Sequence, residues 1–214
     1  MILGTLRSIR RRLSGEHEFA NVRAGTQTAA WYDWTYRGTP EYHGHYCDSS
    51  YYFLWTVIAD RLTRQRYGKV LDLACGPGQF ASLLYDKGVR QYRGIDFSPV
   101  CIEMAHRRQI PQFEFMLADL ANEDALSGIE YDCVVTMEFL EHVEFDLSVL
   151  SRLKPGVRVL ATVPNFPYTS HVRHFRDADE VTERYAAVFS SLTVDTFLEN
   201  AKGKTFFLME GIKA

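Results

Sequence analysis

The sequence predicts an α/β fold: a doubly wound, seven-stranded mixed sheet with helices on both faces, preceded by an aromatic-rich N-terminal helical arm. From Lys69 onward, strand patterns alternate with helical patterns at the spacing of such a sheet. One apolar strand, in KVLDLACGPGQF at 69–80, runs directly into a turn with two glycines and then into a helix. The chain closes in two extended segments joined by a short turn, so we expect the last strand to be antiparallel.

Seven segments have the composition of strands. They are 69–74, 92–96, 113–118, 131–137, 157–163, 192–199 and 204–212. The fourth is continuous in its apolar residues, which is typical of a buried parallel strand. These strands and the helices between them form the predicted core at 69–214.

Helices are predicted at 79–87, from Pro99 through Ala105, and at 177–189. The first ends before Gly88, a common position for glycine after a helix. Ser98 is an N-cap before a proline at the first helical position. The third opens with two acids, Asp177 and Glu180, at the spacing of a capping box.

Residues 1–68 form the arm, which we treat as part of the same domain as the core. All three tryptophans and many tyrosines fall between Trp31 and Trp55. The arm ends in a helix predicted at 49–66, and four of its side chains share one face: Tyr51, Trp55, Ile58 and Leu62. Rings at helical spacing are usually core, so one interpretation is that they bury the arm against the sheet.

Composition limits the partners and the compartment. With 214 residues the chain can bury a full core in one domain, and a net charge of −3 gives no general electrostatic reason to bind nucleic acid. The four cysteines are isolated, without a C-x-x-C pair, which suits a reducing compartment, and we expect a cytoplasmic protein. No apolar run approaches the roughly 20 residues that span a bilayer.

The first 15 residues, MILGTLRSIRRRLSG, carry four arginines. In a helix, their apolar side chains form one stripe: Ile2, Leu6, Ile9 and Leu13. Three interpretations remain open: a short helix packed on the domain, which we favour, a segment contacting an anionic membrane or a partner, and a mitochondrial targeting sequence.

The glycine turn is the strongest functional signal. Gly76 and Gly78 lack Cβ atoms, so the backbone can bend tightly and its N–H groups can approach a ligand at the N-terminus of the next helix. Asp72 precedes the turn, and Asp96 ends the second strand about 20 residues after the first glycine. The combination resembles the class I S-adenosylmethionine-dependent methyltransferases, which implies a Rossmann-like core and S-adenosylmethionine as the cofactor.

A dinucleotide-binding protein is the main alternative, because Gly76, Gly78 and Ala81 formally satisfy G-x-G-x-x-G/A. The acid at 72, a further acid at the end of the third strand and the closing hairpin favour the methyltransferase resemblance. Two alternatives of another class stay open: a nicotinamide-dependent oxidoreductase, and a non-catalytic module that keeps the cofactor pocket.

The resemblance assigns eight residues to the cofactor. Four are assigned to its amino-acid end: Asp72, Ala74, Gly76 and Gly78. Four are assigned to its adenosine end: Asp96, Phe97, Asp119 and Leu120. The Asp96 carboxylate is expected to accept both ribose hydroxyls, Phe97 to lie against adenine, and the last two to meet the adenine edge.

The run Glu138-Phe-Leu-Glu141-His142 follows the fourth strand, and we expect its two acids and its histidine on one face of a helical turn. E-x-x-E-H resembles ubiquinone-pathway O-methyltransferases and small-RNA 2′-O-methyltransferases, in which these residues hold a divalent metal near the acceptor hydroxyl. His171 or His174 would supply a further ligand, although a metal is not what we expect. The alternative is a structural role, with the first acid near a helix N-terminus, the second solvated and the histidine bonded to a neighbour.

The sequence thus predicts a methyltransferase acting on a small molecule, at a hydroxyl oxygen, with His142 as base and Glu138 near the acceptor. Alternatives are methylation of a nucleic-acid terminus and N-methylation. The basic run HVRHFR at 171–176 is interpreted as a solvated loop or as a contact for an anionic acceptor. In the resembling enzymes the arm is a lid over the cofactor, and six residues are candidates for it: Tyr32, Tyr36, Tyr42, His43, His45 and Tyr46.

Overall fold

The predicted fold is confirmed in the computed structural model, which describes residues 25–65, 68–198 and 203–214. Seven strands form one sheet in the order β3-β2-β1-β4-β5-β7-β6. Strands β1 to β5 pair in parallel, whereas β7 is antiparallel to both β5 and β6. Residues 1–15, for which three interpretations were open, lie outside the described residues. Most of the predicted hairpin turn at 200–203 lies outside them too.

The strands are β1 Lys69–Leu73, β2 Gln91–Asp96, β3 Phe113–Leu117, β4 Cys133–Met137, β5 Arg158–Pro164, β6 Phe189–Leu198 and β7 Thr205–Lys213. The α-helices are α1 Ala29–Gly38, α2 Tyr52–Arg64, α3 Gln79–Asp86, α4 Pro99–Arg107, α5 Asp146–Ser151 and α6 Ala178–Tyr185. Short 3₁₀ turns lie at Pro40–His43, Tyr46–Asp48, Glu123–Leu126, Leu140–His142 and Ala186–Val188. In the described part of the chain, no helix is long and apolar enough to cross a membrane.

Differences from the predicted boundaries have local causes. Strand β1 ends before Ala74, whose φ of 59° leaves the extended region. Strand β4 begins at Cys133, two residues later than predicted. The side chains of the two preceding residues, Tyr131 and Asp132, accept the N–H groups of Lys154 and Lys69. The last predicted helix ends at Tyr185, and β6 begins at Phe189 rather than at 192.

The core lies on both faces of the sheet. Alternate residues of β1 point to opposite faces: Val70 packs with the face covered by α2 and α3, and Leu71 with the face covered by α5 and α6. Helix α2 buries Ile58 and Leu62 as predicted, whereas its Trp55 is only half-buried. The aromatic face of the arm therefore belongs partly to the core and partly to a cavity.

A buried ion cluster joins α5 and α6 beneath the sheet. Asp146 is fully buried and accepts two hydrogen bonds of 2.8 Å from the guanidinium of Arg184 and one of 2.8 Å from the hydroxyl of Tyr185. Arg173 lies 3.4 Å from the same carboxylate. This cluster fixes the loop that precedes α6, and that loop carries part of the site described below.

We predict that Asp146→Ala lowers the free energy of unfolding by about 3 kcal/mol, because two guanidinium groups and a hydroxyl lose a buried partner. Asp60→Ala is the matched control: its carboxylate pairs with Arg64 on the exposed surface of α2, so its loss costs less than about 1 kcal/mol. Urea unfolding of both variants measures the two losses in the free energy of unfolding. Equal losses would contradict a stabilising role for the buried Asp146 cluster.

Candidate functional site

A cavity of about 760 Å³ opens at the carboxyl ends of the parallel strands. Its wall includes residues that follow β1, β2, β3, β4 and β5, together with aromatic side chains of the arm. Doubly wound sheets bind their ligands at this edge. The cavity therefore lies where the sequence predicts the cofactor.

Seven of the eight predicted cofactor residues line this cavity: Asp72, Ala74, Gly76, Asp96, Phe97, Asp119 and Leu120. Gly78 is not among the described lining residues. It has a φ of 75°, and a Cβ there would lie 3.0 Å from the Cβ of Ala105. In this structure Gly78 allows α4 to pack closely against the glycine turn, a role that differs from the predicted one.

Asp72 is buried beneath the glycine turn. Its Oδ2 accepts a 2.7 Å hydrogen bond from the hydroxyl of Tyr92, while its Oδ1 has no hydrogen-bond partner. Burial, and secondly the charge of Asp96, raise the pKa of Asp72 to about 7, although the bond from Tyr92 opposes this. A buried carboxylate with a free oxygen is suited to a cationic group of a ligand.

Asp96 connects two turns. Its Oδ2 accepts a 2.9 Å hydrogen bond from the Gly76 N–H, and its Oδ1 accepts one of 2.9 Å from the Ser98 N–H. Burial raises the pKa of Asp96 to about 6, against the effect of these bonds. Each oxygen keeps a further lone pair, so the carboxylate can still accept two hydroxyl groups.

Asp119 and Leu120 close the far end of the cavity after β3. The Asp119 Oδ1 accepts a 2.8 Å hydrogen bond from the Ala121 N–H, which shapes the turn. Arg152 donates to the carbonyl oxygen of Leu120 and thereby fixes that backbone from the other side. Sequence reasoning did not identify Arg152.

The arm covers the cavity through only some of the predicted lid residues. Tyr32, Tyr36 and Tyr42 line it, and the ring of Tyr32 lies 5.4 Å from that of Phe97, edge to face. The other three candidates do not line it, because their side chains bind elsewhere. His43 bonds the Tyr36 carbonyl, His45 caps the Cys47 N–H, and Tyr46 donates to Asp86.

The arm is held in place by two side chains of the core. Gln79, at the start of α3, donates to the carbonyl oxygens of Glu41 and Gly44 at 3.0 and 3.3 Å. Arg108 donates to Pro77 in the glycine turn and to Tyr42 in the arm. The 3₁₀ turn at 40–43 is thereby attached directly to the glycine turn.

The predicted helical turn at 138–142 is wrong. Glu138 has a φ of 51°, so it reverses the chain after β4, and only Leu140–His142 form a 3₁₀ turn. Thr162 on β5 holds Glu138: its Oγ1 accepts from the Glu138 N–H and donates to the Glu138 Oε1, both at 3.1 Å. Left-handed residues of this kind cost energy and are common at functional sites.

Glu141 is fully buried, so the alternative of a solvated acid is also wrong. Neither oxygen of its carboxyl group has a hydrogen-bond partner. Burial, and next the charge of Glu138, raise the pKa of Glu141 well above its usual value. An orphaned buried carboxyl group of this kind calls for a cation or a proton.

His142 has a defined tautomer. Its Nδ1 lies 3.0 Å from the carbonyl oxygen of Ser170, which can only accept, and 3.1 Å from the hydroxyl of Tyr32, which can donate or accept. We assign the proton to Nδ1 and the lone pair to Nε2, because only this tautomer satisfies the Ser170 carbonyl. That Nε2 lies 3.7 Å from the Glu141 Oε1. Burial and the neighbouring His171 lower the pKa of His142 to about 4, so the ring is neutral near pH 7.

His171 completes a group of three potential ligands. Its Nδ1 lies 3.1 Å from the carbonyl oxygen of Phe166, which likewise leaves the lone pair on Nε2. One ligand atom from each of Glu141, His142 and His171 lies within 4.8 Å of the others. A carboxylate and two imidazoles oriented by carbonyls fit a divalent transition cation. His174 is exposed and is not in this group.

The loop after β5 holds the 3₁₀ turn. Arg173 donates to the carbonyl oxygens of Leu140 and Val143, and the Glu141 carbonyl accepts from the Val172 N–H at 2.8 Å. Within the basic run at 171–176, Arg173 therefore binds the backbone of the turn after β4, and Arg176 pairs with Glu180. No periodic signal in the sequence could have identified this role.

Comparisons with known proteins agree with the fold. A family model described as a methyltransferase domain matches residues 52–201. The mitochondrial ubiquinone biosynthesis O-methyltransferase of Saccharomyces cerevisiae is 33% identical over 135 residues, which cover 58% of this chain and 42% of that protein. The chain therefore spans less than half the length of this curated relative.

Solved structures share the fold. Magnesium protoporphyrin IX methyltransferase of Synechocystis PCC 6803, with bound S-adenosylhomocysteine (SAH), has a TM-score of 0.61 at 18% identity, covering 78% of this chain and 85% of that one. The 1,6-didemethyltoxoflavin-N1-methyltransferase of Burkholderia thailandensis, also with SAH, has a TM-score of 0.59 at 18% identity, covering 78% and 79%.

We predict that Asp72→Asn stabilises the ligand-free protein more at pH 8 than at pH 5. Folding raises the pKa of this carboxyl group to about 7, so the folded protein favours its protonated form. The free energy of unfolding therefore falls as the pH rises toward 7 and the group ionises. The gain in the free energy of unfolding should grow by about 2 kcal/mol over this range. Chemical denaturation at both pH values measures it, and an equal gain at both would contradict the assignment.

Proposed function

The chain belongs to the family whose model describes a methyltransferase domain, which confirms the predicted resemblance, and from this premise we propose that it transfers a methyl group from S-adenosylmethionine to a hydroxyl oxygen of a small molecule. One observation carries the proposal. A single cavity contains both the acids at the ends of β1 and β2 and the turn from Glu138 to His142.

The donor side is suited to a cationic cofactor with a ribose. Asp96 would accept the two ribose hydroxyls, and Phe97 would lie against adenine. The free oxygen of Asp72 would face the ammonium group at the amino-acid end. The family match favours this cofactor over a dinucleotide, and SAH bound in two proteins of the same fold is consistent with it.

The acceptor side supplies groups that can take a proton. In the reaction the acceptor oxygen attacks the methyl carbon, the carbon–sulfur bond breaks with its electron pair on sulfur, and the hydroxyl proton leaves to a base. The lone pair of His142 Nε2 and the carboxylate of Glu138 are the candidate bases. Methylation at oxygen is supported by the yeast relative, which is an O-methyltransferase.

We further propose a divalent cation held by Glu141, His142 and His171. The sequence did not lead us to expect a metal, but the orphaned Glu141 carboxyl group and the two free Nε2 lone pairs support one. A bound cation would lower the pKa of an acceptor hydroxyl near it. With the cation bound, the His142 Nε2 lone pair would be a ligand and no longer a base. Glu138, held by Thr162, lies outside the three ligands, and its carboxylate would take the acceptor's proton.

The methyl-transfer proposal is tested with SAH titrations and with labelled S-adenosylmethionine on a panel of phenols and hydroxylated aromatic acids. Asp96→Ala should weaken SAH binding at least tenfold. Glu138→Gln and His142→Ala should each lower transfer by about 100-fold or more, and in Glu138→Gln the SAH affinity should stay within twofold. Glu144→Gln, an exposed acid just after the same turn, is the control. Failure of the parent to bind SAH, or the label appearing on nitrogen, would contradict the proposal.

The cation proposal is tested by calorimetric titration with Mn²⁺, Zn²⁺ and Mg²⁺, which needs no acceptor. Glu141→Gln and His171→Ala should weaken binding at least tenfold, because each removes one of three ligands. His174→Ala removes an exposed imidazole from the same loop and should change nothing. Equal affinities of the parent and His171→Ala, or no binding by the parent, would overturn the site.

The remaining expectations stay predictions. A small-molecule acceptor and the absence of a nucleic-acid partner follow from the sequence alone. The yeast relative is mitochondrial, so the expectation of a cytoplasmic location has no support from it.

A further inference from the structure

We propose that Asp33 is a positioning residue that latches helix α1 onto the cofactor site, so that docking of this helix and binding of the cofactor strengthen each other. The inference rests on cofactor binding at Asp96, which is part of the proposed function, and not on the acceptor or on the transfer step.

The latch consists of two hydrogen bonds between the arm and the start of α4. The Ser98 hydroxyl donates to the Asp33 Oδ1 at 2.5 Å, and the Val100 N–H lies 3.4 Å from the same oxygen. A carboxylate at a helix N-terminus is also favoured by the helix dipole. Asp33 is therefore a second cap on α4, supplied by a distant part of the chain.

Ser98 connects this latch to the ribose-binding acid. Its side chain is bound to Asp33 in the arm, while its backbone N–H donates to the Asp96 Oδ1 at 2.9 Å. Ser98 is fully buried, so it has little room to move. A ligand that orders Asp96 and its turn therefore also orders Ser98, the residue to which the arm is attached.

Helix α1 is held on the core by aromatic side chains as well as by the latch, and the hydroxyl of its Tyr36 lies beside Gly76 in the glycine turn. The helix is ten residues long and has no fully buried residue. Helices of this length are marginal in water by themselves, so their order depends on docking. Besides the latch, Tyr32 packs against Phe97, and its hydroxyl lies 3.1 Å from the Nδ1 of His142.

These contacts join the two halves of the cavity. On one side α1 touches the turn that follows β2, where the cofactor would bind, and on the other it reaches His142 on the acceptor side. Because coupling between two equilibria is reciprocal, a cofactor that favours the docked helix must itself bind more tightly when the helix is docked. Asp33 then raises the affinity for the cofactor without touching it.

Hydrogen exchange of residues 29–38, with and without SAH, tests the latch in the unmodified protein. SAH should slow exchange of α1 at least fivefold. In Asp33→Ala this protection should be lost and the SAH dissociation constant should rise about tenfold. Asp33→Asn keeps an acceptor oxygen for Ser98 without the charge and should give intermediate values, a graded rescue that general destabilisation would not produce.

Asp60→Ala, which removes an exposed carboxylate from α2, is the control and should behave as the parent. If SAH binds but α1 exchanges at the same rate with and without it, or if Asp33→Ala binds SAH as tightly as the parent, the latch is overturned while the proposed function stands. If the parent does not bind SAH, both are overturned. Should Asp33→Ala fail to fold, Asp33→Asn and the exchange data of the parent still decide.

Discussion

The carboxylate of Asp96 is the interaction on which the donor side of the cavity depends. Its two oxygens accept backbone N–H groups from Gly76 and Ser98, so one buried group fixes the glycine turn after β1 and the start of α4. Burial keeps its pKa raised, to about 6, in the ligand-free protein. Hydroxyl donors from a ribose would favour the ionised form and so offset part of that cost. Through Ser98 the same carboxylate is also connected to the arm.

The acceptor side is built by a different constraint, which is the packing of the loop after β5 on the turn after β4. The carbonyl oxygens of Ser170 and Phe166 fix the tautomers of His142 and His171, and Arg173 binds the carbonyls around the turn. The His142 Nε2 lies 3.7 Å from the buried Glu141 carboxyl group, and His171 belongs to the same group of three potential ligands. Because β1 and β4 are neighbours at the centre of the sheet, the donor and acceptor sides share one cavity.

The sequence predicted the parts of this arrangement that depend on neighbours along the chain. Apolar runs located the strands, and the acids at or just beyond their carboxyl ends, Asp72, Asp96 and Asp119, were expected at one edge of the sheet. The left-handed conformation of Glu138, the burial of Glu141 and the choice of His171 over His174 were not predictable. Each depends on how distant loops pack, and hydrophobic periodicity carries no information about that. For the same reason the role of Asp33 is visible only when α1 and α4 are seen together.

A structure of the protein with SAH bound would test the central claim most directly, because it shows where the sulfur lies. The account predicts the ribose on Asp96, the adenine against Phe97, and the sulfur directed toward the turn from Glu138 to His142, with empty cavity beyond it for an acceptor. A ribose away from Asp96, or a sulfur directed away from that turn, would contradict it.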